Sequence, residues 1–259
     1  MVNIIDTTEA QAPKQVNLNI CGGSHTRVDL SQVSQVATPQ ATETWRPIGH
    51  DFLINKVQSR LGDRGFEVVN ESHNLARNGQ RYFGLFQVSH TDRENNERGT
   101  IIGLRNAHDK CFPAGLCAGD APFVCDNLIF HNEVTLARRH TKNILNDLDQ
   151  VISRTLGKLF EMWNKQDNRV EAYSSFELED SQVNDLVVRS CKAGALPKSK
   201  IMDVVEQWQD SDHDEFSHRN MNSLYNGFTE IYKGNLMALP KRSEALHSVL
   251  DAEVGFAVN

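Results

Sequence analysis

The chain has 259 residues, of which 39% are hydrophobic and 24% charged, with a formal net charge of −7 at pH 7. That apolar share can offset the conformational entropy of folding and the net charge is too small to enforce disorder, so a disordered chain is excluded. The length suits one large domain or two small ones.

Residues 1–44 are rich in Gln, Thr, Val and Ser, are broken by Gly22-Gly23 and Pro39, and carry a net charge of −2. They read as an N-terminal arm with one short strand expected at 15–20. From Trp45 the pattern changes. Phe52, Val57 and Leu61 stand at helical spacing before Gly62 and Gly65, which predicts a helix over 51–61. Short β-branched or aromatic segments follow at 66–70, 80–90, 99–105, 123–130 and 133–140, separated by Asn78-Gly79, Asn95-Asn96 and Gly115 or Gly119. They predict an antiparallel sheet.

The period then switches. Ile144, Leu145, Leu148, Val151, Ile152, Leu156, Leu159, Phe160 and Trp163 recur at i, i+3, i+4, which predicts one helix over 141–166. Further helices are expected at 180–192, ended by Gly194; at 197–208, with Pro197 in its first turn; at 217–233, ended by Gly234; and at 243–250. The fold class is therefore α+β, an antiparallel sheet with a flanking helix followed by a C-terminal helical region. Its divisions are the arm 1–44, a sheet domain 45–142 with net charge +2, and an acidic helical region 143–259 with net charge −7.

Four ordered blocks resemble a known family: Trp45-Arg46-Pro47-Ile48, Asn78-Gly79-Gln80-Arg81-Tyr82-Phe83-Gly84-Leu85, Gly103-Leu104-Arg105-Asn106-Ala107-His108-Asp109-Lys110, and Phe123-Val124-Cys125-Asp126-Asn127-Leu128. They are similar to the phage/plasmid-like protein family that carries domain of unknown function 932. The likeness is good over roughly residues 45–145, continues weakly through Asn226-Gly227-Phe228-Thr229-Glu230, and leaves the arm unmatched. Ala107 and Cys111 stand where family members often have Ser, which removes a hydroxyl role at those points. The resemblance implies a mobile-element origin and a shared fold, and it carries no established activity or catalytic residue.

The polar residues Asn106, His108, Asp109, Asp126 and Asn127 lie between apolar strand segments and form a candidate site, because binding groups concentrate in loops beside a rigid sheet. The competing reading is turn construction, since Asn and Asp side chains bond to nearby backbone. Cys125 beside His108 or His140 would make a nucleophile only if a base generated the thiolate, and its apolar neighbours favour a buried structural thiol. Cys111, Cys117 and Cys125, with His108 or His131, lack the short chelating pair of structural zinc sites. Residues 210–221 begin like a calcium loop but have Glu215 where Gly is needed and Met221 where a bidentate Glu is needed. No metal and no cofactor is expected, and phosphate-loop, dinucleotide-binding, serine-esterase and zincin motifs are missing from the sequence.

The basic residues Arg77, Arg81, Arg105, Lys110, Arg138 and Arg139 are interleaved with Tyr82, Phe83 and Phe112. Cations that neutralise phosphates beside aromatic faces that stack on bases are what single-strand binders use. Strand alternation sends Arg138 and Arg139 to opposite faces and sets Tyr82 and Phe86 with Val88 in the core. The expectation is a phage- or plasmid-derived nucleic-acid-binding protein acting in replication or recombination. The alternatives are a hydrolase built on His108, Asp109 and Asp126, and an inhibitor of a host defence or replication protein. Amphipathic helices make a homo-oligomer the expected assembly. Five cysteines without a Cys-x-x-Cys pair, no run of about 18 apolar residues and no basic leader place the chain in the cytoplasm with no membrane partner.

Overall fold

Strands that follow one another in sequence are neighbours in space. β1 (His25–Val28), β2 (Phe66–Ala76), β3 (Arg81–His90), β4 (Arg98–Ala107), β5 (Ala114–Pro122) and β6 (Ile129–Arg138) form one antiparallel sheet in that order. The computed structural model describes residues 14–18, 25–91, 98–122, 129–211, 217–232 and 238–256. Helices α1 (Leu30–Ser34), α2 (His50–Gly62), α3 (Ile144–Leu156), α4 (Leu159–Ser174), α5 (Asp180–Ala193), α6 (Ile201–Gln209), α7 (Met221–Tyr232) and α8 (Leu239–Val254) cover the sheet on both sides.

The two-residue side-chain period of a strand explains the layering. Tyr82, Phe86 and Val88 of β3, with Ile102 and Leu104 of β4, point to a first face and pack against Leu53, Ile54 and Val57 of α2 and Ile144, Leu148 and Ile152 of α3. Leu85 and Ile101 point to the second face, where Val183, Val204, Phe228 and Leu250 bring in α5 to α8. A sheet buried on both faces needs near-continuous apolar strands, which is how β3 and the middle of β4 read. The acidic C-terminal region is thus divided over the same sheet, with α3 on the first face and α5 to α8 as the second layer.

The turn from β2 to β3 follows from Asn78-Gly79. Asn78 has φ 53° and Gly79 φ 80°, and the Gln80 amide donates to the Arg77 carbonyl at 3.1 Å, the geometry of a type I′ turn. Gly194, with φ 89°, ends α5 as expected.

Four elements differ from the sequence expectation. Residues 114–122 form a strand inside the sheet, although Gly115 and Gly119 read as separators; small side chains fit a strand pressed between two layers, where packing outweighs β-propensity. Of the segment expected at 123–130, residues 123–128 lie outside the described residues and Ile129-Phe130 open β6. The helix expected over 141–166 is two, separated at Gly157-Lys158; α3 and the start of α4 pack in the same core, so the apolar period runs across the break. Residues 14–18 form no strand; the strand of the arm is β1 at 25–28.

Residues 14–18 are instead held by side chains. The Val16 amide donates to Gln87 Oε1 at 2.8 Å, Gln87 Nε2 donates to the Lys14 carbonyl at 2.6 Å, and Asn70 Nδ2 donates to the Val16 carbonyl at 2.8 Å. Gln87→Leu removes two of these bonds and strands buried polar groups, a loss of about 1–3 kcal/mol. Limited proteolysis is expected to cut the variant within residues 14–18 under conditions that spare that segment in the wild type.

Candidate functional site

All six candidate cations gather at one end of the sheet, because antiparallel pairing brings the end of β2, the start of β3, the end of β4, the start of β5 and the end of β6 together. Ala76 pairs with Arg81, Arg81 with Ala107, Arg105 with Gly115, and Ala114 with Arg138. The two faces of this end are built differently.

On the first face lies a buried network of Asn106, His50, His108 and His140, all under 10% exposed. A carbonyl can only accept, and this fixes the protons. His50 Nε2–H donates to the Gly79 carbonyl at 2.9 Å, so His50 Nδ1 accepts from Asn106 Nδ2 at 2.9 Å. The second hydrogen of Asn106 Nδ2 goes to the Ile48 carbonyl at 3.0 Å, and Asn106 Oδ1 accepts from His140 Nε2 at 2.7 Å. His108 Nε2 donates to the same Ile48 carbonyl at 2.8 Å, and its ring stacks on His50 with centroids 4.0 Å apart. Burial lowers the pKa of His50 and of His140 to about 4 and lowers that of His108. Three neutral imidazoles therefore tie the 45–50 segment to β4 and to the end of β6. Three of the four blocks shared with the family meet in this clasp, through Ile48, Gly79 and Asn106-His108.

Asp109 takes no part in it. Its Oδ2 accepts from Arg81 Nε at 2.6 Å and its Oδ1 from the Cys111 amide at 3.1 Å. Burial works to raise its pKa, and these two bonds override it and hold the carboxyl low. The structure thus brings Asn106 and His108 together and turns Asp109 to the loop surface, while Asp126 and Asn127 lie outside the described residues. Cys125 lies there too. Tyr82 is fully buried, as its alternation requires.

The second face carries a cluster of cations and aromatic rings. Arg81 and Arg105 place their guanidinium carbons 5.9 and 5.5 Å from the centre of the Phe112 ring, and Phe83 packs on Phe112 at 5.3 Å. Lys110 sits 4.7 Å over Trp45, and Arg77, Lys110 and Arg139 are exposed. Arg138 is engaged elsewhere, donating to Asp147 Oδ1 at 2.9 Å. Arg81 and Arg138 are thus paired with the carboxylates of Asp109 and Asp147.

Next to the cluster the second face opens into a cavity of about 200 Å³. Phe83 and Leu85 of β3, Gly103 and Arg105 of β4, Gly115 and Cys117 of β5 and Thr135 of β6 form its floor and wall, with Pro240 and Lys241 of α8 at its edge. A Cβ on Gly115 would stand 2.8 Å from Arg105 Nε, so glycine there lets the arginine lie flat on the sheet. Burial pushes the Cys117 thiol up to about 12, and its S–H points to the Gly103 carbonyl at 3.8 Å, so it is a neutral wall at ordinary pH.

The sequence signals missed His50 and Lys241, and they raised His140 and Cys117 for other roles than the clasp and the cavity wall. No local pattern marks them, since each joins the site only through a partner at long sequence distance. Among the described residues no group of three or more metal-ligating side chains gathers, and no helix is long and apolar enough to cross a membrane. No curated protein and no solved structure matches the chain. Residues 41–243 match the family described as Domain of unknown function (DUF932), a stretch that takes in the histidine clasp, the cation cluster and helices α2 to α7, and the chain belongs to that family.

Proposed function

We propose that the chain binds single-stranded nucleic acid across the second face of its cationic sheet end, in the service of phage or plasmid replication or recombination. The observation that supports this is Phe112, flanked by Arg105 and by the Asp109-paired Arg81 and backed by Phe83, which also lines a cavity edged by Arg105 and Lys241. An aromatic platform ringed by guanidinium groups stacks bases and neutralises phosphates together, and each stacked base is worth about 1–3 kcal/mol. Arg77, Lys110 and Arg139, all exposed, extend the positive end.

Fluorescence anisotropy with a labelled single-stranded oligonucleotide tests the reading. Binding is expected at micromolar protein in low salt and is expected to weaken steeply between about 50 and 200 mM salt as counterions are released. Arg105→Ala and Phe112→Ala each weaken it about tenfold or more, at about 1.4 kcal/mol per factor of ten. Arg138→Ala has a smaller effect, because that guanidinium is already paired with Asp147. No binding at low salt and micromolar protein overturns the proposal.

A further inference from the structure

We infer that the second-face cavity takes one base of the bound strand, with that nucleotide's phosphate held between Arg105 and Lys241. The inference rests on the nucleic-acid reading above and adds to it a pocket for a single heterocycle.

Size sets the first limit. An apolar cavity of about 150 Å³ accommodates benzene, so a cavity of about 200 Å³ has room for one nucleobase. Shape agrees with that. The floor beside the Arg105 side chain, which itself lies over Gly115, is the flat surface of adjacent strands at Gly103, and a planar ring can lie against it.

Chemistry narrows the class further. Phe83, Leu85 and the neutral Cys117 thiol offer an apolar wall, while Arg105 and Lys241 set two cations at the edge, and no carboxylate stands among the described lining residues. A simple anion would have no use for the apolar wall, and an apolar molecule none for the cations. A planar heterocycle bearing one phosphate uses both. Phe83 lines the cavity and also packs on Phe112 at 5.3 Å, so a base in the cavity and its neighbour on Phe112 are within one strand's reach.

The experiment compares an ordinary single-stranded oligonucleotide with an abasic one of equal length, by anisotropy at fixed low salt. Wild type is expected to bind the base-bearing strand at least tenfold more tightly. Cys117→Phe fills the cavity without changing charge and is expected to remove most of that difference while the salt dependence stays as in wild type. Thr135→Trp plugs the same cavity from an exposed strand position and serves if circular dichroism shows Cys117→Phe misfolded. Plugged variants that keep the full preference overturn the pocket and leave the binding function standing, as does equal binding of the two strands by wild type. A wild type that binds neither strand overturns both.

Discussion

Lowering the pH from 7 to about 4 is expected to remove several kcal/mol of folding stability, through His50 and His140. Their folded-state pKa values lie at about 4 against an ordinary 6.5, so between those values the unfolded chain binds the protons and the folded chain does not. Stability then falls as pH falls, by about 3 kcal/mol for each ring once the lower value is passed. Burial is the main cause; the neighbouring Asp51 acts on His50 in the opposite sense, while Arg138 and His108 push His140 the same way as burial. A structural reason reinforces the sign. Protonated His50 would turn an N–H toward Asn106 Nδ2, which already donates to it, and no rotation of the amide satisfies Ile48 and His140 at once. Since domains are stable by about 5–15 kcal/mol, loss on this scale is a large share of the whole. Urea unfolding followed at pH 7 and pH 4.5 measures it, and the double variant His50→Gln/His140→Gln should show a flatter profile. A midpoint that does not move over that range would remove the neutral-imidazole assignment.

The largest single-residue effect is expected at Asp251. Arg169 is 3% exposed and donates from Nε and Nη2 to the two Asp251 oxygens, both at 2.9 Å, while Tyr173 donates its hydroxyl to Oδ1 at 2.7 Å. Burial and the Asp251 charge push the Tyr173 phenol far up, so it stays a donor. Asp251→Ala leaves a guanidinium in the core with Gln166 Oε1, at 2.6 Å, as its remaining hydrogen-bond acceptor among the described residues, beside the Phe256 ring. Breaking one partner of a buried pair costs about 3–5 kcal/mol. Replacing both, with Arg169→Met and Asp251→Leu together, should recover much of that loss because no charge is then stranded. Denaturant midpoints of the single and double variants decide the matter. A single variant within 1 kcal/mol of wild type would mean the guanidinium finds water.

How far the sequence spoke for the molecule depended on whether the signal was local. Asn78-Gly79 prescribes its own turn and Gly194 its own helix end, so both were legible, as was the switch to helical period after residue 141. β5 was not, because Gly115, Ala118 and Gly119 look like loop chemistry until two helical layers press on them. The site shows the same division. Arg81, Arg105, Phe83 and Phe112 could be flagged from one stretch of chain, whereas Lys241 reaches the cavity from another layer, and His50 and His140 meet Asn106 only through the fold. The Asn106-Ala107-His108 run reads as candidate chemistry in sequence, and in space it anchors main-chain carbonyls.

Helix α4 is fastened twice along its length. Near its start Trp163 donates to Thr100 of the sheet at 2.8 Å among the first-face side chains, and further on Arg169 and Tyr173 grip Asp251 of α8 among those of the other face. A rod bolted on both sides of a wall cannot turn without straining both bolts. The two layers therefore share one mechanical fate, and a chain shortened ahead of Asp251 would loosen the helix that also closes the opposite side.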